Sequence, residues 1–125
     1  MYLGIDLGTS GLKALILDDR GRIQAMATRP LTVQRAGAGH SEQDPADWIQ
    51  ALQAVFAELR EHLPNVRGIG LAGHMHGLVL LDQSQKVLRP CLLWNDTRAH
   101  GQAAAINVAC ISLTKEDNYH CRMSI

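Results

Sequence analysis

The sequence predicts a mixed α/β domain, in which a three-stranded antiparallel meander is followed by a helix and one further strand. Three observations lead to this prediction: strand-like segments near the N-terminus are separated by short turns, one long segment has helical spacing, and a glycine-rich apolar strand follows it. With 125 residues and 46% hydrophobic composition, the chain is expected to form one domain with a substantial core.

The predicted meander consists of strands over residues 2–8, 11–19 and 22–33. The turn sequence "DDRG" separates the second strand from the third, and "GTSG" is short enough to return the chain antiparallel. Alternation along the first strand places Asp6 on the face opposite Leu3 and Ile5. Because an unpaired buried charge is costly, Asp6 needs a lysine, backbone N–H groups or a metal ion as its partner.

The clearest predicted helix is "DPADWIQALQAVFAELREHL". Asp44 suits the N-cap, Pro45 the first helical position and Asp47 the negatively charged first turn. One helical face is expected to form core, and it carries Trp48, Ile49, Leu52, Val55, Phe56, Leu59 and Leu63. Pro64 and Asn65 are expected to end the helix.

The second half of the chain is predicted to continue with strands. "VRGIGLAG" has the composition of a buried strand, and "GLVLLDQSQKVLRPCLLW" that of two strands joined by a polar turn at residues 82–85. From about residue 105, "INVACISLTKEDNYHCRMSI" contains no glycine or proline and has no sustained period. We therefore expect a first region over residues 1–104 and a divergent tail over residues 105–125.

Charge and composition exclude several classes of function. Twelve basic residues balance twelve acidic ones, which argues against general affinity for nucleic acid or anionic membranes. No apolar run approaches the roughly 18 residues of a membrane span, and the N-terminus lacks signal-peptide features, so we expect a cytosolic protein. Cys91, Cys110 and Cys121 are irregularly spaced, which favours free thiols over disulfides or a zinc site.

The loop "DLGTSG" could bind phosphate. Gly8 lets the backbone approach a ligand closely, and Thr9 and Ser10 add hydroxyls to the backbone N–H groups. Asp6 would then hold Mg²⁺, often through water. The alternative is a tight hairpin in which Asp6 pairs with Lys13, and because short glycine motifs recur by chance, both interpretations stay open.

The segment "GHMHG" offers three alternatives. His74 and His76 would share a face of a strand and could bind a metal, but no third ligand has suitable spacing. The flanking glycines favour a strand end that opens into a cleft, where histidine hydrogen-bonds a small polar ligand. A strand-end histidine bonded to nearby backbone is the third alternative.

The segment "LLWNDTRA" places polar side chains directly after an apolar strand. Grouped Asn95, Asp96 and Arg98 side chains suit recognition of sugar hydroxyls. Alternatively, Asp96 caps a following helix and Arg98 is simply solvated.

Taken in order, Asp-x-Gly-Thr-Ser, "SEQDP", "GHMHG" and "LLWNDTR" resemble the start of the FGGY carbohydrate kinases over roughly residues 1–104. "MHG" points to the xylulokinase branch and away from glycerol kinases. The resemblance implies part of an actin/hexokinase/Hsp70-like (ribonuclease H-like) domain, in which the meander is followed by a helix and a parallel strand. It also implies ATP-dependent phosphorylation of D-xylulose to D-xylulose 5-phosphate.

The resemblance also implies roles for individual residues. Asp6 would be catalytic and would hold Mg²⁺ near the transferred phosphoryl group. The residues implied to contact the ATP phosphates are Gly8, Thr9, Ser10 and Lys13. The residues implied to contact the sugar are Met75, His76, Asn95, Asp96 and Arg98. His74 stands where the family commonly has glutamine.

Kinases of this family have two lobes, and their catalytic base is an aspartate in a later "DNAAG"-like segment that has no counterpart in this sequence. Phosphoryl transfer needs groups from both lobes, so we expect the chain to be inactive alone. A truncated or frameshifted gene, or an alternative transcript, would explain the tail, and sequencing the locus would test this.

Two alternatives without catalysis follow. The chain could be a remnant that binds phosphate or sugar weakly, or could join a polypeptide that supplies the second lobe. It could also self-associate through surface that the rest of the lobe normally covers. A monomer at every concentration would contradict self-association.

Overall fold

A computed structural model describes residues 1–117 of the chain, with side chains over residues 1–109. The elements in chain order are β1 Tyr2–Gly8, β2 Gly11–Leu17, β3 Ile23–Pro30, β4 Glu42–Gln43, α1 Pro45–Leu59, β5 Gly68–Gly73, β6 Cys91–Leu92 and α2 His100–Asp117. A short 3-10 turn over Leu63–Asn65 connects α1 to β5.

The main sheet has the strand order β3-β2-β1-β5. The first three strands pair antiparallel, and β5 joins β1 in parallel after the crossover through α1. This arrangement confirms the predicted α/β class, with its meander, helix and parallel strand.

The core lies between α1 and one face of the sheet. The buried residues of this cluster are Leu3, Ile5, Leu12, Ala14, Ile16, Ala27, Ala51, Val55 and Leu59. The predicted core positions Val55 and Leu59 are confirmed, whereas Ile49 is exposed and its prediction was wrong. The buried positions of α1 repeat every four residues from Ala51, and Ile49 lies off that line.

Helix α1 begins as predicted. Asp44 has extended backbone, and its side chain accepts a hydrogen bond from the N–H of Ala46 at 2.9 Å, with Pro45 at the first helical position. The helix ends at Leu59, earlier than predicted, and the chain then turns at Leu63–Asn65 before entering β5.

Strand β5 is exposed, and the prediction of a buried strand was wrong. Ile69 and Leu71 pair in register with Leu3 and Ile5, so they lie on the helix side of the sheet. They are nevertheless 66% and 77% exposed, because α1 packs over β2 and β3 at the far side. Self-association through this uncovered surface stays a prediction.

The two strands predicted over residues 77–94 are much shorter in the structure. Isolated bridges join Leu78 to Leu92 and Leu81 to Val87, and only β6 is a named strand, paired with β4. The polar turn at residues 82–85 forms as predicted, with the Asp82 carboxylate accepting two backbone N–H bonds.

Helix α2 runs without a break across residue 104, so the boundary between the first region and the tail stays a prediction. None of the helices in the described part of the chain is long and apolar enough to cross a membrane. Cys91 is buried and free, and burial raises the pKa of its thiol. The Cys110 side chain and Cys121 lie outside what the structure describes.

Gly11 has no room for a side chain. A Cβ at this position would lie 2.8 Å from the carbonyl oxygen of Arg29, a backbone atom that cannot swing aside. We therefore expect Gly11→Ala to lower the free energy of unfolding by about 1–3 kcal/mol, measured by urea denaturation. Gly70→Ala is the matched control, because its Cβ would meet nothing within 4 Å. An equal decrease in the free energy of unfolding in Gly11→Ala and Gly70→Ala would contradict the prediction.

Candidate functional site

The turn between β1 and β2, here called the Thr-Ser turn (residues 8–11), is a two-residue hairpin loop. Gly8 pairs with Gly11, which leaves Thr9 and Ser10 at the tip. Neither tip residue has a positive φ, so the loop lacks the primed geometry that two-residue hairpins prefer. The Thr-Ser turn is instead held by other parts of the chain: Leu31 donates its N–H to the Ser10 carbonyl at 3.0 Å.

A second contact to the Thr-Ser turn comes from the loop before α1. The Gln43 side-chain amide donates to the Thr9 carbonyl at 2.8 Å, and its oxygen accepts from the indole N–H of Trp48 at 3.1 Å. Helix α1 therefore supports the turn through a buried polar side chain.

Asp6 lies on the face of the sheet opposite α1. It is exposed and stands across from Lys13 in the β1–β2 register, yet among the described residues no ion pair joins the two. Of the alternative interpretation, the tight hairpin is confirmed, whereas the predicted ion pair between Asp6 and Lys13 is not formed. A shallow cavity of about 380 Å³ lies beside both side chains, with room provided by Gly4 and Gly70.

The arrangement around Asp6 fits Mg²⁺ better than zinc. No group of three or more His, Cys, Asp or Glu side chains in the described residues could hold a metal ion. Mg²⁺ usually keeps several waters and binds one or two carboxylates together with substrate phosphates. A carboxylate that forms no ion pair with the described residues, beside a loop rich in backbone N–H groups, matches that requirement.

His74 follows the last residue of β5 and is tied to β1. Its backbone N–H donates to the Leu7 carbonyl at 2.9 Å, and its Nδ1 lies 3.1 Å from the same oxygen. Since a carbonyl only accepts, Nδ1 carries the proton. The ring meets Trp48 edge-on, with centroids 5.2 Å apart. The interpretation of a strand-end histidine bonded to backbone is thus confirmed for His74.

The next two residues leave the strand direction altogether. His76 has a φ of 63°, so it does not share a strand face with His74. An isolated antiparallel bridge then joins Leu78 to Leu92, the second residue of β6. The predicted sugar contacts Met75 and His76 thus lie in the segment between β5 and this bridge.

Trp94, which the sequence reasoning did not single out, stands directly before the polar residues that follow β6. This side chain is 58% exposed, unusual for a tryptophan directly after an apolar strand. Its position before three polar residues was the available signal. The neighbouring Asn95 Oδ1 is buried and has no hydrogen-bond partner in the described part of the chain, so it is free to accept a bond from a ligand hydroxyl or a water.

Asp96 and Arg98 form part of an ion-pair network with the loop before α1. The Asp96 side chain is 4% exposed and accepts from the Ser41 N–H at 2.9 Å and from Arg98 Nη2 at 2.7 Å. Arg98 also donates to Glu42 at 2.5 Å, and Arg89 donates to the same carboxylate oxygen at 2.8 Å. The alternative of an Asp96 helix cap with a solvated Arg98 was therefore wrong.

The network shifts the titration of its members. Hydrogen bonds from Arg98 hold the pKa of Asp96 far below its usual value. The same guanidinium, together with Arg89, lowers the pKa of Glu42, and the two carboxylates raise the pKa of Arg98. These shifts keep Asp96, Glu42 and Arg98 charged at neutral pH, and their hydrogen bonds tie the loop that carries Asn95 to the loop before α1.

Comparison with known proteins identifies the family. A sequence profile for the N-terminal domain of the FGGY family of carbohydrate kinases matches residues 1–116. The chain belongs to this family. It is 51% identical over 100 residues to the FGGY relative xylulose kinase of Klebsiella pneumoniae, covering 78% of this chain and 21% of the relative. The chain thus spans about a fifth of the length of the curated relatives it matches.

Solved structures of sugar kinases have the same fold over most of this chain. A "xyloylose kinase" from Brucella ovis superposes with a TM-score of 0.82 at 46% identity, covering 91% of this chain and 25% of that one. Xylulose kinase from Rhodospirillum rubrum superposes with a TM-score of 0.80 at 30% identity, covering 90% of this chain and 24% of that one. The predicted resemblance to the FGGY kinases and to their fold is confirmed.

Proposed function

We propose that this chain supplies the N-terminal part of an ATP-dependent kinase that phosphorylates D-xylulose to D-xylulose 5-phosphate in the cytosol. The observation that carries the proposal is the exposed carboxylate of Asp6 beside the Thr-Ser turn, which forms no ion pair within the described part of the chain. A carboxylate next to backbone N–H groups suits a magnesium–phosphate group, and a relative 51% identical over 100 residues is a xylulose kinase.

The phosphate side of the proposed site is formed by the Thr-Ser turn and its neighbours. Gly8, Thr9 and Ser10 would offer backbone N–H groups and hydroxyls to phosphate oxygens, and Lys13 would add positive charge. Asp6 would hold Mg²⁺, which when bound neutralises charge on the transferring phosphoryl group.

The sugar side is formed by Met75, His76 and the loop after β6. The unsatisfied Asn95 Oδ1 would accept a hydrogen bond from a sugar hydroxyl, since a buried acceptor without a partner is costly. Asp96 and Arg98 would lie near the sugar and hold that loop through their ion pairs.

A hybrid kinase tests the proposal. We would join residues 1–104 of this chain to the remainder of the Klebsiella pneumoniae xylulose kinase and measure ADP release with ATP, Mg²⁺ and each of D-xylulose, glycerol and gluconate. We expect turnover with D-xylulose above that with the other two, because the sugar side comes from this chain. Neither the present chain nor the remainder should turn over alone, since positioning requires both parts.

Two results would contradict the proposal. A folded hybrid kinase without sugar-dependent turnover would exclude a working phosphate or sugar side in this chain. Preferred turnover of glycerol or gluconate would retain a kinase and exclude D-xylulose as its substrate.

A further inference from the structure

Gln43 is a buried polar residue that the proposed chemistry leaves without a role. It is 1% exposed, although it lies in a segment rich in polar residues. Its amide nitrogen donates to Thr9 and its amide oxygen accepts from Trp48. A side chain that must satisfy one donor and one acceptor in a buried place is held in a single orientation.

The contacts around Gln43 form a continuous series that begins at Thr9, just after β1, and returns to Leu7 within that strand. Trp48 meets the ring of His74 edge-on, and His74 bonds to the carbonyl of Leu7, two residues before Thr9 in the chain. This series of contacts therefore surrounds the end of β1. It joins the Thr-Ser turn to the segment that leaves β5 and carries Met75 and His76.

The hydrogen bond to Thr9 also fixes the direction of the next N–H group. In a trans peptide, the carbonyl of one residue and the N–H of the following residue point in opposite directions. None of the described peptide bonds is cis. Because Gln43 draws the Thr9 carbonyl toward the buried side, the N–H of Ser10 points away from it, to the open side.

We propose that Gln43 and Trp48 are positioning residues that aim the backbone N–H of Ser10 out of the Thr-Ser turn, toward the place where phosphate oxygens would bind. The inference deepens the proposed function and rests on it for the identity of the ligand. Gln43 does not touch substrate, and it acts only through the peptide between Thr9 and Ser10.

The chemistry of the Gln43 side chain supplies a specific test. Methionine has a similar length and neither donor nor acceptor. An ionised glutamate has acceptors only, and would place a charged oxygen against the Thr9 carbonyl. A protonated glutamate again offers one donor and one acceptor, so Gln43→Glu should recover the native contacts in acid.

The experiment is ¹⁵N relaxation on the full chain without any ligand, for the wild type, Gln43→Met and Gln43→Glu at pH 7 and near pH 4.5. In Gln43→Met, we expect the order parameters of the Thr9 and Ser10 amides to fall from about 0.85 to below about 0.6 at both pH values. In Gln43→Glu they should fall at pH 7 and recover in acid, because burial favours the protonated carboxyl. Ile5 in β1 should stay rigid throughout.

Trp48→Phe provides a second variant if Gln43→Met does not fold. Phenylalanine keeps an aromatic ring beside His74, but it is smaller than tryptophan and lacks the indole N–H that donates to the Gln43 side-chain oxygen. We expect a smaller fall in the order parameter of Thr9, with no recovery in acid.

Unchanged order parameters at Thr9 and Ser10 in folded Gln43→Met, or at Thr9 in Trp48→Phe, would overturn the inference. Failure of Gln43→Glu to recover in acid would also overturn it, because Gln43 would then only fill space. Since no nucleotide or sugar is present, these outcomes are distinct from failure of the proposed function, which would appear as an inactive hybrid kinase.

Discussion

Asp6→Asn is expected to lower the turnover of the hybrid kinase by roughly 10²–10³-fold, the size of effect seen when one preorganised electrostatic group is removed from an active site. Asparagine keeps the shape of the side chain but loses the charge that would hold Mg²⁺. The steady-state assay should show the loss in kcat, with little change in KM for D-xylulose, because the sugar side lies elsewhere. The Mg²⁺ concentration needed for half-maximal rate should rise.

The matched control for this prediction is Asp47→Asn. Asp47 is an exposed carboxylate in the first turn of α1, on the other side of the sheet. It should leave kcat unchanged. Equal turnover in Asp6→Asn and the wild type would remove Asp6 from the proposed chemistry.

Asp96→Ala is expected to lower the free energy of unfolding by about 2–3 kcal/mol at pH 7. The Ser41 N–H would lose its acceptor in a buried position, and Arg98 would lose one of its two carboxylates. Urea denaturation of the full chain measures the effect. Asp19→Ala is the control, because its ion pair with Arg67 is exposed on both sides and should contribute little.

The same residue predicts how stability depends on pH. The pKa of Asp96 is lowered by folding, so its stabilising contribution is fully present above its ordinary value of 3.8 and is lost as the pH falls below it. Folding also lowers the pKa of Glu42, so its stabilising contribution is likewise lost as the pH falls below its ordinary value of 4.5. The wild type should therefore lose stability below about pH 4 more steeply than Asp96→Ala. An equal decrease in the free energy of unfolding with falling pH in the wild type and Asp96→Ala would contradict a charged Asp96 in the network.

The parts of the fold that local patterns determine were predictable. Alternation and turn sequences located the meander, and the Asp44 cap with its apolar stripe located α1. The exposure of Ile69 and Leu71 was not predictable in this way. An apolar period identifies the face that a strand offers for packing, but it does not say which element lies over that face.

In the candidate site, too, local patterns identified some features, whereas others depend on contacts between distant parts of the chain. Glycines and adjacent hydroxyls marked the Thr-Ser turn, and the order of motifs pointed to the kinase family. The contacts of Gln43 with Thr9 and of Ser41 with Asp96 join residues far apart in the chain. Because the polar residues around Gln43 and Ser41 resemble a solvated loop, sequence reasoning could not assign them a buried role.

The position of β5 at the edge of the sheet predicts the order in which parts of the fold form and open. The meander closes through neighbouring turns, whereas Leu7 and His74 are 67 positions apart and meet only after a long loop has closed. With its side chains largely exposed, β5 has the least to lose on opening, so it should detach at a lower free energy than the meander. His76 would leave with it while the Thr-Ser turn stays formed. The part of the proposed sugar side that follows β5 should therefore be the last to assemble during folding and the first to be released.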